Sequence, residues 1–375
     1  MSASEVSVTP AQFLGFTTLG LSVLIHIVFV SITLGVGLVT AIYRWLAYKR
    51  SDPELEVFAR STFRIMIVSE LFSGVWGTII TVFLAGFFPG LVALATNLLF
   101  TPIAISIVSI MIRIPSIAIF WYTWGRVSPS THSIIGFIMA LSGFGIPLGF
   151  RTLFSEITYP HAVAEFLAGT VPPAWYAYTS PIFWSLYLHT VFAVISTGGF
   201  VVASLMAYEN NPRGVKIGLM FGVGFLFAQF FAGPLYWYSL HYYSSYIFNQ
   251  VTFGSFMPAL ALKMVLIITL LTISVYSWTR VRSENIIPKP TVYLGFIAVA
   301  VVFLGELIND GSRYPYMAVA GGSGIPIAGF FNFYMEVPEP VVFVILGFLI
   351  FSIAVFMIAA YLALYKRFVA VRIES

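Results

Sequence analysis

Eight side chains that can hold a proton or a metal lie where a lipid-embedded chain carries them least easily. His26, Glu70, Arg113, His189, Lys263, Met264, Glu306 and Asp310 fall within or at the ends of long apolar stretches, where polar groups are expensive and turn to the interior of a helix bundle. His189 is eight residues past Pro181, and Met264 eight past Phe256. At about 1.5 Å per helical residue, both lie about 12 Å below the same membrane face. An imidazole and a thioether at equal depth can clamp one heme iron from opposite sides, an axial pair that raises the redox potential. Both ligands are neutral and need no counter-ion in an apolar bundle. The same two residues also suit an interhelical hydrogen bond and ordinary core filling. His26 sits nearer mid-membrane, with no partner that spacing identifies. Glu306 and Asp310, four apart, share a helical face and suit a ligand with a proton acceptor, or an ion pair with Arg313. Arg113 and Lys263 can neutralise porphyrin propionates, or simply a buried acid such as Glu70. His132, His161 and His241 fall near the membrane surfaces, where ordinary hydrogen bonding is expected.

The elements that must position these residues follow from composition. Of 375 residues, 59% are hydrophobic and 9% charged, against about 25% charged in soluble domains, which excludes an ordinary cytoplasmic enzyme and a disordered chain alike. Nine stretches are long enough to cross a bilayer, at about 12–43, 64–88, 99–124, 133–154, 182–207, 215–237, 257–279, 291–309 and 341–365. Fourteen of the 18 Lys and Arg fall in alternate connections: Arg44 to Arg64, Arg126, Arg213 and Lys216, Arg280 to Lys289, and Lys366, Arg367 and Arg372. By the positive-inside rule that side is cytoplasmic. The expected architecture is therefore a single all-α domain, 1–375, of nine transmembrane helices in the cell membrane, with the N-terminus outside and the C-terminus cytoplasmic. The net charge of +4 is then a matter of topology and not a nucleic-acid surface. Residues 1–11 hold no Lys or Arg, so no cleavable signal is expected.

Two long connections, 155–181 and 310–340, face outward and are expected to form folded caps. The segment Ala320-Gly321-Gly322-Ser323-Gly324 in the second lacks the Lys-Ser/Thr ending of a phosphate loop, so it is expected to be a turn. The chain has no cysteine, which excludes disulfides, iron–sulfur clusters, thiolate-ligated heme and covalent heme attachment. Its 37 Phe, 20 Tyr and 8 Trp are more than lipid contact requires and suggest walls for a large flat apolar ligand.

Four motifs, in order along most of the chain, carry a family resemblance. Gln12-Phe13, with His26 through Gly35, resembles the first helix of subunit I of cytochrome bd-type oxidases. Leu188-His189-Thr190-Val191, followed by Thr197-Gly198-Gly199, resembles that family's fifth helix. Ala261-Leu262-Lys263-Met264-Val265 is similar to its Phe-Arg-x-Met segment, and Asp310-Gly311-Ser312-Arg313-Tyr314-Pro315-Tyr316 to its Glu-x-Gly-Arg-Gln-Pro-Trp motif. The resemblance implies His189 and Met264 as axial ligands of a low-spin heme b, and His26 at the oxygen-reducing heme, a heme d or b. It implies Asp310 at a second, high-spin heme b, with Arg313 as a propionate partner and Lys263 beside the cofactor. The implied activity is that of a terminal oxidase reducing oxygen to water within a complex. The implied partners are a second membrane subunit (subunit II-like or a paralogue), an electron donor that is a quinol or a redox protein, and the lipid bilayer.

The departures are as specific. Where the family's third helix carries glutamates after Pro-Leu-Ala-Ile, this chain has Pro102-Ile103-Ala104-Ile105, then Ser106, with Arg113 at the later position. Leu262 replaces the arginine ahead of the methionine. The family's long quinol-binding loop shrinks to 238–256, rich in Tyr and without Lys, Arg, Asp or Glu. These absences leave two alternatives open: a non-catalytic companion subunit of such a complex, and an ion or proton transporter built on Glu70, Arg113 and Lys263.

Overall fold

A computed structural model of the chain describes residues 6–170, 172–173, 175–333 and 337–365. Among them are nine helices long and apolar enough to cross a membrane: α1 (Pro10–Arg50), α2 (Pro53–Phe87), α4 (Phe100–Tyr122), α5 (Pro129–Thr158), α7 (Phe183–Tyr208), α8 (Pro212–Tyr243), α10 (Met257–Glu284), α11 (Leu294–Gly311, entered through a 3-10 turn) and α12 (Glu339–Tyr365). Three shorter helices are interspersed: α3 (Pro89–Asn97), α6 (His161–Leu167) and α9 (Ser245–Thr252). The all-α, multi-pass expectation holds, with helix ends set by local chemistry. Thr9 caps α1 in a reciprocal box with Gln12, Ser51 ends it in a left-handed conformation, and Asp52 then caps α2 ahead of Pro53. The first helix thus runs seven residues further than hydropathy alone extends it, because Arg44, Lys49 and Arg50 continue the helical turns beyond the apolar run.

The helices are not equivalent. In the most apolar windows of α1 and α7, 78% of residues are buried, against 11% in α10 and α12; the first pair is central and the second faces outward. Small residues allow the central crossing. A Cβ on Gly35 of α1 would lie 2.2 Å from the Val194 carbonyl oxygen, and one on Gly198 of α7 would lie 2.5 Å from Gly35. Only glycine permits backbones to approach so closely, and such contact drives helix association where lipid removes the hydrophobic advantage.

The two long connections, 155–181 and 310–340, are folded where described. In the first, α6 follows α5 directly, and His161 stacks on Tyr176 at 4.5 Å while bonding Thr179; residues 171 and 174 lie outside the described set. The second holds a feature not expected from the hydropathy pattern, an antiparallel hairpin of β1 (Tyr316–Ala320) and β2 (Ser323–Pro326). The Gly-rich segment is its turn, with Gly321 at φ +60°, a two-residue Gly-Gly signal that marks hairpins. The Gly321 carbonyl accepts from Tyr246 N–H at 2.9 Å, tying the hairpin to α9. Residues 334–336 of this connection, and the cluster Lys366, Arg367 and Arg372, lie outside the described residues.

Candidate functional site

Where α7, α8, α10 and α11 converge, with α1 and α5 behind them, they enclose a cavity of about 540 Å³, the size of a small-molecule site. His189 and Thr190 enter from α7, Gln229 and Tyr236 from α8, Lys263 and Met264 from α10, Glu306 and Asn309 from α11, and Arg151 from α5. The two residues matched by depth in the sequence therefore share one cavity, on different helices. Met264 is 46% exposed at its outer side, since α10 is peripheral.

Local sequence explains the opening. Pro234 inside α8 has no N–H to give the Phe230 carbonyl, and Gly233 next to it presents no side chain. A Cβ there would lie 3.8 Å from the His189 ring. Tyr236 stacks on that ring at 5.8 Å and donates its hydroxyl to Asn309 Oδ1 at 3.1 Å. Gln229 donates to the His189 carbonyl at 2.5 Å. Gln229 thus anchors the His189 backbone and Tyr236 packs on the imidazole, whose Nδ1 is buried without a partner.

That orphan is one of many here. Gln229 Oε1, Arg151 Nη1, Glu306 Oε1, Asn309 Nδ2 and Ser312 Oγ belong to residues lining the same cavity and are buried without a hydrogen bond, as are Asp310 Oδ2 and Arg313 Nη1 close by. Buried polar groups are normally satisfied, and each exception asks for a missing partner. A porphyrin with two propionates, apolar over most of its area and acidic at one edge, matches an apolar cavity with a cationic, donor-rich side. No three His, Asp or Glu side chains converge into an ion cage among the described residues; a porphyrin-held iron takes one or two protein ligands and needs none. The residues present fit a heme.

His26 sits apart from the cavity lining, on the face of α1 toward α2. Its Nδ1 is 2.9 Å from the Ser73 carbonyl oxygen. A carbonyl only accepts, so Nδ1 carries the proton and Nε2 the lone pair, the arrangement in which metal-ligating histidines are held. Gly77 leaves room for the ring: a Cβ there would lie 3.1 Å from it. The charged groups whose fields reach His26 are Glu70, Glu306 and Arg151, so Arg151 stands within range of both histidines.

Several expectations change. Arg313 does not pair with Glu306 or Asp310; its Nε and Nη2 donate to the Asn309 carbonyl at 3.3 and 3.2 Å, and Glu306 instead faces Arg151 at 3.6 Å. Arg113 is closed on Glu70 at 2.8 Å, and all three of its guanidinium nitrogens donate, to Glu70, to Thr33 and to the Met139 carbonyl. It is committed to this cluster and does not line the cavity. With Lys263 in the cavity and Glu70 locked to Arg113, the three residues of the transporter alternative form no common path. His132, in the first turn of α5, makes ordinary hydrogen bonds but within the protein, not to solvent: it accepts from Arg44 Nε at 2.8 Å and donates to the Phe120 carbonyl at 2.8 Å. Of the aromatic surplus among the described residues, Phe200, Phe230, Tyr236 and Trp237 wall the cavity. Others pack helix on helix, as Phe29, Phe72, Trp76 and Phe356 do, and many, such as Phe231 and Phe348, are exposed. Arg151 was missed because it stands near a helix end, where a snorkelling surface cation is the ordinary reading.

Comparison with known proteins meets this geometry from another side. Residues 17–244 match the model of the family described as cytochrome bd terminal oxidase subunit I, a stretch holding His26, Arg151 and His189 but ending before Lys263, Met264, Asp310 and Arg313. A curated relative from Bacillus subtilis (strain 168), named "Putative cytochrome bd menaquinol oxidase subunit I", is 25% identical over 212 residues, which are 53% of this chain and 44% of the relative. The chain thus aligns with less than half the length of that relative. The fold is shared with a chain of the bd oxidase from Geobacillus thermodenitrificans at a TM-score of 0.77 and 16% identity, over 96% of this chain and 98% of that one. More than half of the sequence answers to one family, and the helices are arranged as in a solved bd oxidase; the chain belongs to the cytochrome bd terminal oxidase subunit I family and is integral to the membrane.

Proposed function

We propose that the chain is a heme-binding subunit of a cytochrome bd-like terminal oxidase. In this reading His189 and Met264 hold a low-spin heme b, His26 stands at the oxygen-reducing heme, d or b, and Asp310 at a second heme b, with Arg313 and Lys263 beside propionates. The observation that carries it is the shared cavity of His189 and Met264, lined by buried polar atoms that lack partners. When bound, heme supplies reversible one-electron chemistry at iron. The protein's residues supply orientation: Tyr236 packs on the His189 ring, Gln229 anchors the His189 backbone carbonyl, and the Ser73 carbonyl fixes the tautomer of His26. Electrons enter from the capped end, from a quinol or from a redox protein that docks on the uncharged 238–256 segment. A second membrane subunit, subunit II-like or a paralogue, completes the complex. Pyridine hemochrome analysis of the purified complex tests this directly: heme b is expected, and a colourless complex would end the reading.

One observation favours the companion-subunit alternative. Ser106, at a position where the resembling family carries an acid, donates to the Ile146 carbonyl at 2.6 Å, and a Cβ on Gly149 would lie 1.9 Å from the Pro102 carbonyl oxygen. The α4–α5 seam is closed there, and Arg113 is engaged by Glu70, Thr33 and Met139. Oxygen consumption by this chain with and without a homologous subunit separates the readings: consumption only with the homologue supports the companion role.

A further inference from the structure

The Arg151–Glu306 pair has no evident structural purpose. Both side chains are buried, Arg151 at 5% exposure and Glu306 at 6%. They face each other at 3.6 Å, too far for a hydrogen bond, and both Arg151 Nη1 and Glu306 Oε1 are left without one. Buried ion pairs repay their desolvation only with good geometry and satisfied hydrogen bonds, and the Arg113–Glu70 pair shows what that looks like in this bundle. Arg151 is nevertheless held in place, its guanidinium 4.8 Å over the Phe154 ring. Lys263 opens into the same cavity, with Nζ where a Cβ on Gly305 would come within 3.0 Å of it, and Glu306 is the acid whose field reaches it. Two cationic side chains therefore face one lining carboxylate in a low-dielectric pocket, with Asp310 also within range of Arg151 and the Arg151 Nη1 donor left without a partner.

We propose that Arg151 and Lys263 form a carboxylate-binding cradle, receiving a propionate of the porphyrin held at His189 and Met264, and that Glu306 is a positioning residue that keeps both cations turned into the cavity. The inference rests on the reading of His189 and Met264 as heme ligands and adds to it charged residues on α5 and α11. A planar fork that is always charged suits a carboxylate edge, and Nη1 is the donor that Glu306 does not satisfy. The cradle also sets the heme's electrostatics. In a low dielectric a nearby cation disfavours the oxidised, more positive iron centre, and a nearby anion favours it.

The test is a redox titration of the low-spin heme in the purified complex, comparing wild type with Arg151→Gln, Arg151→Lys, Lys263→Gln and Glu306→Gln. Arg151→Gln and Lys263→Gln are expected to shift the midpoint potential negative, Glu306→Gln to shift it positive, and Arg151→Lys to leave it near wild type. Opposite signs at two touching residues are not what loosened packing produces. If Arg151→Gln does not assemble, Arg151→Lys and Glu306→Gln still decide. A low-spin spectrum retained in every variant, with unchanged potentials in Arg151→Gln and Glu306→Gln, overturns the cradle alone. A low-spin signal that survives His189→Ala overturns the ligand reading beneath it, and the cradle with it.

Discussion

At the scale of single residues, this bundle treats buried charge in two ways. Arg113 and Glu70 are closed on each other and on Thr33 and Met139, which makes them structural. Removing one partner leaves the other unpaired, so Arg113→Leu is expected to cost about 3–5 kcal/mol. Thermal unfolding in detergent should show a large loss for Arg113→Leu and substantial recovery in Arg113→Leu/Glu70→Leu; equal losses would show that the pair is not the cause. Around His189 the opposite holds, with donors and acceptors left open. This distinction was only half legible in the sequence. Polar residues in apolar stretches were plain to see, and one helical rise per residue brought His189 and Met264 to one depth. Which acid meets which cation depends on helix rotation, so spacing leaves an ion pair of Glu306 with Arg313 open, whereas the cation it faces is Arg151. Hydropathy does not encode rotation.

At the scale of elements, the glycine seam between α1 and α7 sets how near the cavity's walls stand. Gly35→Ala must displace the Val194 carbonyl and is expected to cost about 1–3 kcal/mol of overpacking strain, with partial loss of whatever the cavity binds. A variant with wild-type melting temperature and spectrum would show that the seam can yield. The α1–α2 turn offers a pH-dependent element outside the membrane. Arg213 binds the Asp52 carboxylate at 2.5 Å and holds its pKa below 3.8. A depressed carboxylate contributes stability above its unfolded pKa and loses it as pH falls through the folded value. Stability should therefore decline below about pH 4, less steeply in Asp52→Asn; identical acid profiles would show that this contact is too exposed to matter. Long helices were readable because their apolar runs are long, and the turn because Ser-Asp-Pro breaks and restarts a helix. The short elements α6 and α9 are hidden in aromatic-rich connections and α3 in a short apolar one, where period and composition say little. The hairpin β1–β2 left one signal, the Gly-Gly pair in its turn.

At the scale of the whole molecule, the chain is a membrane bundle with a cofactor-sized cavity between its helices and His26 on a separate face of α1. Composition and charge pattern carried the multi-pass architecture, because 59% apolar content leaves a chain few other folds. They did not carry the cavity, which arises from Pro234, Gly233 and Gly305 acting at a distance from the residues they expose. Orientation is a prediction at this scale. Single cysteines in this cysteine-free chain at Ser283 and Thr170, labelled with an impermeant thiol reagent in intact cells, should react at Thr170→Cys and not at Ser283→Cys; the reverse would invert the topology. The central claim meets its most direct test in the reduced-minus-oxidised absorption spectrum of the purified complex, recorded for wild type, His189→Ala and Met264→Ala. The account predicts a low-spin heme b signal in wild type that is abolished by His189→Ala and weakened or converted to high spin by Met264→Ala; an undiminished low-spin signal in both variants would contradict it.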